Sequence, residues 1–287
     1  VIPELPPART LSLPGRGDVV IRELAGPPGA PALVLLHGWT VSSDLNWFPV
    51  FRALGEHHRV VAFDHRGHGR GGIRSRERFT LEDAADDAAA VAAELGLGRF
   101  VPVGYSMGGL VAQLVWRRHR RRVAGLVLCA TATHFADGPL DRVRFGLFEP
   151  AILASRAARE ERARALYAKA VGLRTAGRGY SDWVVEEITT GDPRTLLEAG
   201  AAIGRFDSRP WIGRVDVPTA VVVTEPDRVV HSWRQRALAA TIPGARLFLS
   251  PGNHDVVVTD PDAFVPVLLA ACAHATAADS SVASSVG

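Results

Sequence analysis

This chain of 287 residues encodes a mostly parallel, doubly wound α/β sheet interrupted by a helical insertion. Three features point there. Short β-branched runs alternate with helix-length segments, a serine framed by glycines follows one of those runs where a helix takes over, and the alternation lapses between Asp137 and Arg209. Continuous apolar runs of strand length are expected where helices cover both faces of a sheet, and strands that alternate with helices join by right-handed crossovers.

Pro3, Pro6 and Pro7 mark an irregular start, and Asp18–Leu24 alternates as an edge strand does. Ala32–Leu36, Arg59–Phe63, Phe100–Val103, Val123–Ala130, Thr219–Val223 and Arg246–Leu249 read as buried parallel strands. Thr80 followed by Asp83 is the start signal of a capped helix, which continues alanine-rich to Leu95 and stops at Gly96. In the insertion, Glu160–Val171 and Trp183–Thr190 look helical, Gly172–Gly179 and Gly191–Pro193 look like breaks, and no β-rich run occurs. The chain therefore divides into a core (1–136), a helical cap (137–209) and a second part of the core (210–276). The tail is rich in alanine and serine from Ala275 on, and 277–287 are expected to be disordered.

The net charge of +3 is small, and nearly all cations are arginine, Lys169 being the only lysine. Arg117, Arg118, Arg120, Arg121 and Arg122 form a run that would suit a polyanion. Placed at the end of a helix they complement its negative terminus, and a solvated helix end, not a nucleic-acid site, is the expectation. Cys129 and Cys272 make no disulfide framework and read as buried thiols. No stretch approaches the roughly 18 apolar residues of a membrane span, and no basic-then-apolar leader opens the chain. A cytoplasmic protein without stable membrane insertion is expected, a leader removed before Val1 being left open. There is no H-E-x-x-H, no cysteine–histidine cluster and no G-x-G-x-x-G after a strand, so no metal or organic cofactor is called for.

The chemistry concentrates in Gly104-Tyr105-Ser106-Met107-Gly108. A serine on a tight strand-to-helix turn presents its hydroxyl at a helix N-terminus, where free N–H groups favour an oxyanion, and the crowding there calls for glycine. Upstream, His37-Gly38-Trp39-Thr40 ends a strand and could bring the Trp39 N–H beside that of Met107. Downstream, Asp227 follows a strand and His254 lies in the turn after the last one. Of ten histidines His254 is the best placed to take a proton from Ser106; His231, four residues after Asp227, is the nearest rival. Asp227 would orient His254, its alternative role being a helix N-cap. Asp255 is expected to cap the following turn, and Asp64 to organise its loop.

The order Ser106, Asp227, His254, with the segments HGW and GYSMGG, resembles the α/β-hydrolase fold family in its capped serine esterase, lipase and haloperoxidase-like branch. Asp64-His65-Arg66-Gly67-His68-Gly69-Arg70-Gly71 looks like the family's D-x-R-G-x-G-x-S segment, with Arg70 after the second glycine. The likeness spans residues 18 to 135 and 210 to 273. It implies hydrolysis of a carboxylic ester of a small or medium apolar substrate through an acyl-enzyme on Ser106, with Trp39 and Met107 N–H groups as oxyanion hole. Acyltransfer to an alcohol or amine, C–C bond hydrolysis and cofactor-free perhydrolysis would use the same triad, and a ligand receptor with a vestigial site is the remote alternative. Trp39, Phe135, Phe148, Trp183 and Val229 are candidates for the pocket, with further apolar surface from Phe145, Leu166, Tyr167 and Phe206. Acyl chain, alcohol and oligomeric state are not written in these motifs.

Overall fold

A computed structural model describes residues 3–73, 77–157, 160–175 and 181–283. Its eight strands are β1 (Ala8–Leu13), β2 (Gly17–Leu24), β3 (Ala32–Leu36), β4 (Arg59–Phe63), β5 (Val101–Tyr105), β6 (Leu126–Cys129), β7 (Thr219–Glu225) and β8 (Arg246–Pro251). They form one sheet in the order β1-β2-β4-β3-β5-β6-β7-β8, antiparallel at β1/β2 and β2/β4 and parallel elsewhere.

Side chains that alternate along each strand explain the continuous apolar runs. Val34 and Leu36 of β3, Val61 and Phe63 of β4, and Val221 and Val223 of β7 enter one buried cluster, beneath the helices Leu81–Glu94 and Met107–His119. Leu33 and Leu35, Val60 and Ala62, and Ala220 and Val222 enter the other, beneath Phe51–Gly55 and Pro261–Ala283. With both faces covered, every position must be apolar.

Four expectations are corrected. Arg246–Leu249, read as a buried strand, is parallel but mostly exposed, Leu249 at 50%, because β8 closes the far edge of the sheet with β7 as its one strand neighbour among the described residues. The segment Asp18–Leu24 is not the edge: β1 lies outside it, joined through a hairpin with left-handed backbone at Gly15 and Gly17. β1 is mostly exposed, and polar residues break up its apolar ones, so its sequence carries no apolar run to betray it. At the other end, the last helix runs to Ala283 and takes in part of the tail expected to be disordered; residues 284–287 lie outside the described residues. Of the break expected at Gly172–Gly179, residues 172–175 are helical, and 176–180 lie outside the described residues.

Among the described residues, five α-helices stand between β6 and β7, Pro139–Gly146, Phe148–Ala157, Glu160–Thr175, Asp182–Thr189 and Pro193–Arg205, and no strand. The arginine run turns back on the protein itself. Arg118 pairs with Asp86, Arg120 with Asp216, Arg122 donates to two backbone carbonyls and Arg117 lies 4.9 Å over the Trp211 ring. No helix among the described residues is long and apolar enough to cross a membrane.

The strand order fixes where a site can form. From β3 the chain goes first to β4 on one side and then to β5 on the other. The loops leaving the carboxyl ends of β3 and β5 therefore diverge around a crevice, the usual ligand position in an open parallel sheet.

Candidate active site

Ser106 stands between β5 and the helix Met107–His119, with φ 53° and ψ −115°. A non-glycine residue in left-handed backbone is strained, and the surroundings hold it there. Its N–H donates to Cys129 O of the neighbouring strand at 2.9 Å, and its carbonyl accepts from Gly109 N–H at 2.9 Å. The turn is tight enough that a Cβ on Gly104 would lie 2.2 Å from Gly108 O, and one on Gly108 1.9 Å from Leu36 O. Glycine is required at both positions, and the helix start comes right up to the end of β3. Met107, the first residue of that helix, has no intrahelical acceptor for its N–H.

His254 reaches this serine from the loop after β8. Its Nε2 is 3.0 Å from Ser106 Oγ and its Nδ1 2.7 Å from Asp227 Oδ2. Facing a carboxylate, Nδ1 carries the proton and donates it, leaving Nε2 to accept from the serine hydroxyl. The loop is fastened on both sides: Tyr105 O–H donates to His254 O at 2.8 Å, and Asn253 Oδ1 accepts from the N–H groups of His254 and Arg228. Burial pushes the Tyr105 phenol well up, so it stays a neutral donor.

Asp227 divides its two oxygens. Oδ2 accepts from His254, from Thr224 Oγ1 at 2.7 Å and from Gln235 Nε2 at 3.2 Å. Oδ1 accepts from the N–H groups of Val229 and Val230 at 2.7 and 2.8 Å. Capping the turn and holding the histidine are therefore not competing roles. Burial works to raise this carboxyl, but the hydrogen bonds from His254, Thr224 and Val230 outweigh it and hold the pKa below its ordinary value.

The loop after β3 passes beside the serine. Gly38 N–H donates to Asn46 Oδ1 at 2.8 Å, and His37 donates from Nδ1 to Gly38 O while its Nε2 accepts from His65 N–H. Burial holds His37 neutral, its pKa well below the usual histidine value. Thr40 takes left-handed backbone at φ 66°. Trp39 is anchored by Nε1–H to Leu196 O at 2.8 Å. Asp64 accepts Ser43 and Gly71 N–H groups, one on each oxygen, as a loop organiser should; burial raises its pKa to about 6.

A cavity of about 320 Å³ opens over Ser106 and His254. Trp39, Leu45 and Tyr105 wall it from the core, Val184 and Ile188 from the insertion, and Val229 and Val257 from the loops after β7 and β8. Of the residues proposed for the pocket, Trp39 and Val229 lie in this wall; Phe135, Phe148 and Trp183 do not. Phe148 stands behind Trp39, edge-on at 5.6 Å, Trp183 packs edge-on against Phe48 at 5.3 Å, and Phe135 packs against the main core. Val184 and Ile188 take the place given to Trp183: they share one face of the helix Asp182–Thr189, and Trp183 lies off that face. Asp255 makes no side-chain cap; its carbonyl accepts from Val258 and Thr259 instead. His231, exposed at a helix start, does not line the cavity.

The site and sheet together define a hydrolase of the alpha/beta hydrolase fold: the family model of that description matches residues 31–261, and the chain belongs to this family. Among its relatives is a putative carbamate hydrolase, RutD, of Agrobacterium fabrum, 31% identical over 253 residues that cover 84% of this chain and 92% of that protein. A non-heme haloperoxidase of Rhodococcus erythropolis is 30% identical over 240 residues, 79% of this chain and 86% of its own. The crystal structure of an enol-lactonase from Burkholderia xenovorans superposes with a TM-score of 0.75 at 25% identity, over 91% of this chain and 98% of that one.

Proposed function

We propose that the protein is a serine esterase acting on a small or medium uncharged ester through an acyl-enzyme on Ser106. The observation that carries this reading is the unbroken chain from Asp227 through His254 to Ser106, at 2.7 and 3.0 Å, beneath a largely apolar cavity. His254 takes the serine proton as Oγ attacks the ester carbonyl. The N–H groups of Trp39 and Met107 hold the oxyanion, and the alcohol leaves with the proton from His254. Water then repeats the sequence on the acyl-enzyme. Asp227 stays ionised throughout and stabilises the imidazolium. The insertion is read as a cap, with Val184 and Ile188 excluding water from one side.

The likeness to a putative carbamate hydrolase favours a second substrate for the same machinery, a carbamate, whose carbonyl is less electrophilic. Relative kcat/KM on matched p-nitrophenyl esters and carbamates separates the two.

The test is a fluorophosphonate probe followed by intact-mass analysis and peptide mapping, beside Ser106→Ala. One probe per chain on Ser106, none in the variant, and ester turnover lost by several orders of magnitude in a variant with unchanged melting are expected. A folded wild type that neither labels nor turns over esters would refute the reading.

A further inference from the structure

Asn46 belongs to none of the sequence motifs, yet it sits at the centre of the site. It is 4% exposed, lines the cavity, and lies on the short helix Ser43–Trp47. Its Oδ1 accepts from Gly38 N–H, which fixes the amide orientation, because the flipped form would set donor against donor. An atom at the Cβ position of Gly38 would lie 3.5 Å from Asn46 Oδ1 and 3.5 Å from Ser106 Cβ, so the amide is about two contact distances from the nucleophile. The other end of the amide, Nδ2, is buried with no hydrogen-bond partner. A buried donor left unpaired is costly and calls for an explanation. Ser43 Oγ and Trp47 Nε1, its neighbours in the same state, do not line the cavity. The rest of the wall limits the ligand's charge. Among the described residues that line it there is no arginine or lysine to hold an anionic acyl group.

We propose that Asn46 is a specificity-determining residue that selects uncharged acyl groups carrying an oxygen acceptor next to the scissile carbonyl. The acceptor takes a hydrogen bond from Nδ2, while Oδ1 positions Gly38 so that the following peptide N–H, that of Trp39, faces the oxyanion. This deepens the serine esterase reading and rests on it.

p-Nitrophenyl butyrate and p-nitrophenyl methoxyacetate have acyl groups of equal length and differ by one ether oxygen in place of a methylene. kcat and KM are measured on both esters with the wild type, Asn46→Leu and Asn46→Asp. Comparing the methoxyacetate-to-butyrate ratio of kcat/KM between variants cancels the greater intrinsic reactivity of the alkoxy ester. That ratio is expected to fall roughly tenfold in both variants. Asn46→Leu is also expected to lose kcat on butyrate, and Asn46→Asp to recover it, because only the aspartate keeps an acceptor for Gly38 N–H. An unchanged ratio in an active enzyme overturns the assignment of Asn46 alone. If Asn46→Leu does not fold, the ratio in Asn46→Asp decides. Preference of the wild type for the anionic glutarate half-ester over butyrate overturns the uncharged class. Turnover of neither ester, or turnover that survives Ser106→Ala, overturns the esterase reading as well.

Discussion

Asp227 shows how much one side chain can be asked to do. Its Oδ1 is committed to two backbone N–H groups, so in Asp227→Asn the retained carbonyl oxygen belongs there and the new amide points at His254. An amide donor facing Nδ1 forces the proton to Nε2, and the ring can no longer accept from Ser106. Thr224 and Gln235 would also lose their acceptor. kcat is expected to fall by about four orders of magnitude with KM little changed, and the melting temperature to drop, both measured on the purified variant. The sequence made Asp227, His254 and Ser106 legible because each ends an apolar strand run with a turn. Asn46 and Gln235 were not legible, since a polar residue on a helix looks alike whether it faces solvent or a buried carboxylate.

The strands inside the sheet announced themselves because burial on both faces leaves them no polar positions, whereas β1 needs a partner strand more than it needs a sequence pattern. The helix Asp182–Thr189 was legible as a helix, but its rotation about its own axis was not. Periodicity says which residues share a face and not where that face points, and this is why Trp183 was expected where Val184 and Ile188 stand. That rotation is set by contacts remote in sequence. Glu187, 5% exposed, accepts from Ser42 Oγ at 2.5 Å and from Arg70 Nη1 at 3.1 Å, and Arg70 also holds Glu186. Arg70, which follows the second glycine of the family segment, is thus a tie between the core and the wall of the cavity. In Arg70→Ala, KM for esters is expected to rise several-fold with kcat nearly unchanged. Raising the salt from about 0.05 to 0.5 M should raise KM in the wild type and not in the variant, because the exposed half of this pair is screened. Steady-state kinetics at the two salt concentrations checks both statements.

Across the whole molecule, buried titratable groups outside the chain from Asp227 through His254 to Ser106 set opposing pH dependences. Burial pushes Asp64 from 3.8 to about 6, so the folded state binds its proton more tightly, and this group alone makes stability fall as pH rises between those values. The buried histidines act the other way. His37 is fully enclosed, and His65, 4.3 Å from it by ring centroids, is pushed from 6.5 down to about 3, by burial first and by the neighbouring His68 second. The unfolded chain binds these protons below about pH 6.5 and the folded chain does not, so stability falls as the pH drops through that window. Two such groups, with His58 lowered as well, outweigh one aspartate, and the protein is expected to lose stability from pH 6.5 downward. His65 offers the clearest test, because neither of its ring nitrogens has a hydrogen-bond partner and its fixed contact to His37 is made by the backbone N–H. Replacing such a ring by an apolar side chain sacrifices no side-chain hydrogen bond. His65→Leu should therefore match the wild type at pH 8 to within about 1 kcal/mol and exceed it at pH 5, where the wild type bears the cost of keeping the ring neutral. Urea unfolding followed by circular dichroism at the two pH values measures this, and equal losses between pH 8 and pH 5 in both proteins would place the acid sensitivity elsewhere.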